Sequence, residues 1–95
     1  MGHIRRIVLD VLKAHSPPIV EIAERLSSIK GVSGVNILLD EVDQDTETIK
    51  ITLGGPNIKV DMVYKALEEM GASVHSVDAV LAGDKIIDQV DTPQD

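Results

Sequence analysis

The chain has 95 residues, of which 43% are hydrophobic and 26% are charged, and its formal net charge is −7. The length suits one domain, and an excess of acid with a single aromatic residue excludes the basic, stacking surfaces typical of nucleic-acid binders. There is no cysteine, and no apolar run approaches the roughly 20 residues that span a bilayer. We therefore expect a cytoplasmic protein without disulfides, signal peptide or membrane anchor.

The first part of the chain predicts a strand and then a helix. Apolar residues alternate over residues 4–13, which is typical of a half-buried strand. Its inward face would consist of Ile7, Leu9 and Val11. Ser16 followed by Pro17 indicates a helix start, and Gly31 indicates its left-handed end. Between them runs an apolar stripe at helical spacing, formed by Ile19, Ile22, Ala23, Leu26 and Ile29.

The rest of the chain predicts a hairpin, a second helix and a last strand. Two alternating segments, 35–40 and 48–53, flank an acidic turn over 43–47 and read as a β-hairpin. A second helix over 60–70 ends at Gly71, and a fourth strand follows over 72–81.

This order of elements predicts an α+β fold, the ferredoxin-like βαββαβ sandwich, with a four-stranded antiparallel sheet and two helices on one face. Right-handed crossovers would place the first strand between the third and the fourth. The domain would occupy residues 1–83. Residues 84–95 would form a partly disordered acidic tail, in which Ile86, Ile87 and Val90 could dock on the domain.

The sheet face without helices is the first candidate surface. By alternation it would carry several apolar side chains: Val8, Leu12, Leu38, Val42, Val74 and Val80. A whole apolar face favours self-association into a homo-oligomer or a protein partner. The alternative is an ordinary surface, because single exposed apolar residues are common.

Two carboxylates on the same face are the first candidate metal ligands. Asp10 and Asp78 both point outward by alternation, from strands that should be antiparallel neighbours. Ca²⁺ or Mg²⁺, which prefer oxygen ligands, would relieve their repulsion. The alternative is an ion pair with Arg6, which shares that face.

The acidic turn provides a second set of candidate ligands, Asp43, Asp45 and Glu47. An EF-hand loop requires glycine at its sixth position, where this chain has Thr48, so the turn is not an EF-hand. A looser cation site and a solvated hairpin tip both stay open as interpretations.

The sequence predicts no enzyme. His75 has the parity of the inward face and is expected to be structural, and His15 precedes the first helix. Either could act as a general base with Asp10, but no nucleophile and oxyanion donor converge on them. The chain also lacks a phosphate-binding glycine loop and a Cys-x-x-Cys motif.

Three segments carry a resemblance to a known family: residues 9–13 (LDVLK), 31–36 (GVSGVN) and 75–78 (HSVD). Together with the acidic hairpin and residues 49–52 (IKIT), they resemble the family called domain of unknown function 211. The resemblance spans about residues 4–83. It implies a mostly archaeal ferredoxin-like protein, homo-oligomers and divalent cation binding, and it implies no activity.

We therefore expect a non-enzymatic, oligomeric domain that binds Ca²⁺ or Mg²⁺ through surface carboxylates. The alternative is a regulatory domain that senses a small metabolite at subunit interfaces. In that case the glycine segments 31–34 or 54–55 would supply backbone contacts to the small-molecule ligand.

Overall fold

The computed structural model describes residues 2–85 and Ile87, and within them six elements follow the predicted order. The elements are β1 (Ile4–Ala14), α1 (Ile19–Ser27), β2 (Gly34–Val42), β3 (Thr46–Gly54), α2 (Val60–Glu69) and β4 (Ala72–Ala82). The strands pair antiparallel in the order β2-β3-β1-β4, which confirms the ferredoxin-like fold and the position of the first strand. The predicted docking of Ile86 and Val90 lies outside the described residues, and Ile87 is exposed.

The core lies between one face of the sheet and both helices. Alternate residues of β1 and β3 are buried as predicted, because their side chains meet the apolar stripes of α1 and α2. The fully buried members include Leu9, Val11, Ile22, Leu26, Ile49, Ile51, Leu53 and Val63. The opposite face of the sheet has no helical cover in the described residues, so residues on it face solvent.

Helix α1 begins later and ends earlier than the sequence predicts. Its N-cap is Pro18, whose carbonyl oxygen accepts hydrogen bonds from the N–H groups of Glu21 and Ile22. A residue before proline avoids the helical region, and this restricts both Ser16 and Pro17. At the other end, Ser27 and Ser28 donate their hydroxyls to the Glu24 carbonyl oxygen, an alternative to continued helix. Gly31 keeps its predicted positive φ, at 93°.

The helices are much shorter than the strands that they cover. Strand β1 has 11 residues and extends about 36 Å, whereas α2 has 10 residues and extends about 15 Å. Leu39 of β2 and Val80 of β4 therefore stay 51% exposed although their partners in β3 and β1 are buried. Neither helix is long and apolar enough to cross a membrane, and the same holds throughout the described part of the chain.

Four strand residues are bulges, each an extra residue that the neighbouring strand does not match. They are Arg5 in β1, Asp40 in β2, and His75 and Asp78 in β4. A bulge changes which face the following side chains point to, and bulges are common beside functional sites. The alternation predicted from sequence therefore fails in β2 and β4, whereas Arg5 lies near the start of β1 and the residues after it alternate as predicted.

The β4 bulges correct three predictions about the open face. Val74 lies opposite Val11 and Val80 lies opposite Ile7, so both valines are on the helix side of the sheet. His75 was expected to point inward, but it lines a cleft on the open face.

The bulge at Asp40 has the same effect on β2. Val42 lies opposite Glu47, and this places it on the helix side rather than on the open face. Val8, Leu12 and Leu38 keep their predicted outward positions, because they pair with outward residues of β3.

Candidate functional site

The open sheet face carries a cleft of about 300 Å³, which we call the acidic cleft. It is lined by Asp10, Leu12, Asp40, Glu41, Thr48 and His75. Asp40 and His75 are two of the four bulge residues, so departures from regular pairing place them there. The cleft thus gathers three carboxylates and an imidazole from the strands β1, β2 and β4.

Two oxygen atoms in the acidic cleft are buried without a hydrogen-bond partner among the described residues: Asp10 Oδ1 and Thr48 Oγ1. Buried polar atoms are normally satisfied, and an unmet one costs about 1–3 kcal/mol. Two oxygens without partners in one cleft favour a ligand or ordered water in that cleft. Within residues 2–85, however, no three His, Asp or Glu side chains stand close enough together to enclose a metal ion on their own.

Asp78 lies on the open face as predicted, but a cation of the chain already neutralises it. Lys50 Nζ donates to Asp78 Oδ2 at 2.9 Å, and the Ser76 hydroxyl donates to Oδ1 at 2.8 Å. The hydrogen bond from Lys50, followed by that from Ser76, lowers the pKa of Asp78. The same bond raises the pKa of Lys50, assisted by the charges of Asp10 and Asp40. The ion pair expected with Arg6 is therefore made with Lys50 instead.

Glu47 belongs to a separate ion-pair group at the end of the core. Its Oε1 accepts from Lys13 Nζ at 2.8 Å, and its Oε2 lies 3.0 Å from His15 Nδ1. The Lys13 hydrogen bond, then the His15 hydrogen bond, lowers the pKa of Glu47. Both carboxylate oxygens are thus already engaged.

Asp43 and Asp45 lie in the exposed turn between β2 and β3. The backbone N–H of Asp43 donates to the Thr46 carbonyl oxygen at 2.8 Å and closes the turn. Neither aspartate lines the acidic cleft, so the structure separates the predicted second set of ligands from the first.

A second cleft, of about 510 Å³, lies at the opposite end of the sheet, and we call it the basic cleft. Its lining includes Arg5, Arg6, Ser33, Gly54, Gly55 and Leu81. Sequence reasoning named the glycine segments 31–34 and 54–55 as possible ligand contacts but missed the two arginines of this cleft, although the pair Arg5-Arg6 was a signal for them. Strict alternation would have placed the two arginines on opposite faces of β1.

Comparison with known proteins gives a family. The sequence profile of the DUF211 family, described as uncharacterized ArCR, matches residues 5–95. The chain belongs to the DUF211 family. It is 47% identical over 95 residues to an uncharacterized protein of the archaeon Methanocaldococcus jannaschii, covering 100% of this chain and 98% of that relative. The resemblance predicted from the sequence is confirmed.

In this DUF211 chain, one of the five predicted ligands, Asp10, lies in the acidic cleft. Asp78 shares its sheet face but is bound by Lys50. The three turn acids lie elsewhere. The cleft's other carboxylates, Asp40 and Glu41, belong to the acidic run of the hairpin, but their placement depends on a bulge that alternation does not reveal.

Proposed function

We propose that this DUF211 chain is a non-enzymatic, self-associating domain that binds a divalent cation, Ca²⁺ or Mg²⁺, in the acidic cleft. The observation that carries the proposal is the pair of buried oxygens without partners, Asp10 Oδ1 and Thr48 Oγ1, beside the carboxylates of Asp40 and Glu41. Both cations prefer oxygen ligands and tolerate a hydroxyl or a water in their coordination shell.

The cation in this proposal keeps part of its water shell. Because the described side chains do not enclose a metal by themselves, Asp10 would bind directly and the other carboxylates through water. Mg²⁺ commonly binds in this way, with one or two protein carboxylates and several waters. The pairing of Lys50 with Asp78 leaves Asp10 Oδ1 free for this role.

Self-association is supported by the edges of the sheet. Strands β2 and β4 each pair on one side only within the described residues, and both expose apolar side chains: Leu38, Leu39, Val42, Val77 and Val80. An exposed strand edge with apolar flanks is a template for pairing with another chain. Asp40 and Glu41 of the acidic cleft belong to the edge strand β2, so a second copy paired along that edge would lie beside the cleft, and a bound cation would favour the assembled state.

The test of cation binding compares Asp10→Asn with Asp45→Asn in metal-free protein titrated with Ca²⁺ and then Mg²⁺. Both variants lose one carboxylate, but Asp45 lies in the exposed turn outside the cleft. A cation at a hundred times its Kd should stabilise the native state by about 2.7 kcal/mol. We expect the melting temperature of the wild type and of Asp45→Asn to rise, and that of Asp10→Asn to stay unchanged.

Native mass spectrometry of the same samples measures the number of subunits. We expect a discrete oligomer whose abundance increases with the metal. The cation site would be contradicted if neither cation changed the melting temperature of the wild type. It would also be contradicted if the melting temperature of Asp10→Asn rose as much as that of the wild type.

Metabolite sensing is the second candidate function, because Gly54 and Gly55, which we expected to offer backbone contacts, line the basic cleft. A rise in melting temperature with a small metabolite, and none with either metal, would favour it.

A further inference from the structure

Two consecutive arginines line the basic cleft, which is unusual for neighbours in a strand. Arg5 is the bulge residue of β1, and Arg6 lies opposite Leu81 of β4 and Gly54 of β3. A bulge re-aims a side chain, and so both arginines reach one cleft. Gly54 has no side chain beside Arg6, and this leaves the sheet surface open there.

The walls of the basic cleft are fixed by two loops in close contact. The N–H of Ser33 donates to the Gly54 carbonyl oxygen at 2.7 Å, and that of Gly55 donates to the Arg5 carbonyl oxygen at 3.0 Å. A Cβ on Gly55 would lie 2.1 Å from the carbonyl oxygen of Gly31. The loops that follow α1 and β3 therefore touch through backbone alone, and the cleft is already shaped before any ligand binds.

The two guanidinium groups have no acidic partner within residues 2–85 and Ile87, where none of the salt bridges includes either of them. Arg5 donates one hydrogen bond, from Nη1 to the Gly83 carbonyl oxygen at 3.3 Å. Its Nε is buried with no acceptor among these residues. Two positive charges with unused donors thus face one cleft in a chain whose net charge is −7.

We propose that the basic cleft binds the phosphate group of a small phosphorylated molecule. Guanidinium groups bind phosphate oxygens through paired, charge-assisted hydrogen bonds, and two of them match the charge of a dianion. The Ser33 hydroxyl adds a further donor on the wall of the cleft. A volume of about 510 Å³ lies within the range of about 300–1,000 Å³ found for small-ligand pockets.

A small molecule fits this cleft better than a nucleic acid does. A nucleic-acid surface needs an extended basic footprint and aromatic side chains for stacking, whereas this chain has a large acidic excess and one tyrosine. The proposal does not depend on the cation site, since the two clefts share no lining residue.

The experiment titrates the full chain with inorganic phosphate at constant ionic strength, with sodium chloride and sodium acetate as parallel titrants. Binding is followed through backbone amide NMR shifts and through the melting temperature. We expect saturable shifts at the amides of Ser33, Gly54 and Gly55 with phosphate. Chloride should give none, and acetate should bind more weakly because a single carboxylate satisfies fewer donors.

The test variant is Arg6→Gln, and its control is Lys30→Gln, which loses the same charge from an exposed residue outside the cleft. We expect Arg6→Gln to weaken phosphate binding by at least about tenfold, because charge-assisted hydrogen bonds are lost. Lys30→Gln should keep the wild-type affinity. An equal loss of phosphate affinity in both variants would show that only the net charge of the chain matters, and this would overturn the proposed site.

A second variant, Gly54→Ala, keeps both arginines and occupies the floor of the cleft. The new Cβ would lie no closer than 3.9 Å to a neighbouring atom, so the fold should tolerate it. We expect an unchanged melting temperature without ligand and a weaker phosphate response. Shifts that chloride reproduces, acetate binding as tight as phosphate binding, or full phosphate affinity in Arg6→Gln would each overturn the proposal.

Discussion

Lys13 is the one charged side chain that is fully buried in the described part of the molecule, with 1% of its side chain exposed. It stands at the end of the inward face of β1, directly opposite Glu47 of β3. A buried ammonium needs a partner, because an unpaired charge in the interior is strongly destabilising. The pairing therefore fixes Glu47 in a structural role at the end of the core.

His15 extends this ion pair to the surface and makes it sensitive to pH. Nδ1 lies 3.0 Å from Glu47 Oε2, and Nε2 lies 2.8 Å from the Gln44 carbonyl oxygen. Only the imidazolium form can donate to both acceptors. The hydrogen bond with Glu47, followed by that with Gln44, raises the pKa of His15 above 6.5.

The raised pKa of His15 predicts a stability that depends on pH. Its contribution is fully present below the unfolded pKa of 6.5 and is lost as the pH rises through the higher folded pKa. The contribution of Glu47, whose pKa is lowered, is present above 4.5 and is lost in stronger acid. We expect His15→Gln to lower the melting temperature clearly at about pH 5.5 and much less at about pH 8.5.

The matched control for this prediction is His3→Gln, because the ring of His3 has no hydrogen bond among the described residues. It should give the same small difference at both pH values. A His15→Gln effect that is independent of pH would show that the imidazolium pair contributes nothing.

Among the elements, β1, β3 and α1 were the most predictable, because unbroken periodicity determines which of their side chains are buried. Strand β4 was the least predictable in detail. Its apolar residues alternate well enough to identify a strand, but the extra residues His75 and Asp78 are visible only once it pairs with β1. Alternation within one strand carries no information on such mismatches with its neighbour.

The bulges and the strand register also decide how much of the candidate sites was predictable. The outward position of Asp10 on the open face was predicted correctly, because Asp10 stands in the regular part of β1. Lys50 was missed as the partner of Asp78, because recognising it requires the register of three strands at once. Arg5 was missed because a bulge moved it to the cleft of Arg6.

The contact between the two glycine loops gives a prediction for the connections between elements. In Gly55→Ala the new Cβ would lie 2.1 Å from a backbone carbonyl oxygen, so one loop must move. We expect a loss of about 1–3 kcal/mol, the usual cost of overpacking. Gly34→Ala is the control, since its Cβ would meet nothing within 4 Å. Chemical denaturation measures the free energy of unfolding of both variants. Equal values would contradict a rigid contact between the two glycine loops.

At the scale of the whole molecule, the domain is a thin slab of 39 × 39 × 17 Å. One layer of helices covers part of one sheet face. The helices are shorter than the strands, so the ends of the two edge strands extend beyond this layer. Five of the exposed large apolar residues belong to these edge strands, and of the five only Leu38 lies on the open face. If the chain self-associates as proposed, we expect the edge strands to form the interface.

This arrangement predicts the effect of a charge placed on an edge strand. Leu39→Lys puts an ammonium beside the projecting part of β2, and lysine on an edge strand opposes pairing with another chain. We expect this variant to be monomeric in size-exclusion chromatography with light scattering. Val20→Lys, at a residue of α1 that is 68% exposed, should keep the wild-type mass. If Leu39→Lys keeps the mass of the wild-type oligomer, the interface does not include this edge.

The bulges bear on how such a domain could change during evolution. On either side of His75 the ladder is regular, with Val74 opposite Val11 and Ser76 opposite Asp10. Deleting the extra residue would leave both pairings in place and remove only the imidazole. Insertions of single residues can thus add side chains to a cleft while the core pairs stay unchanged.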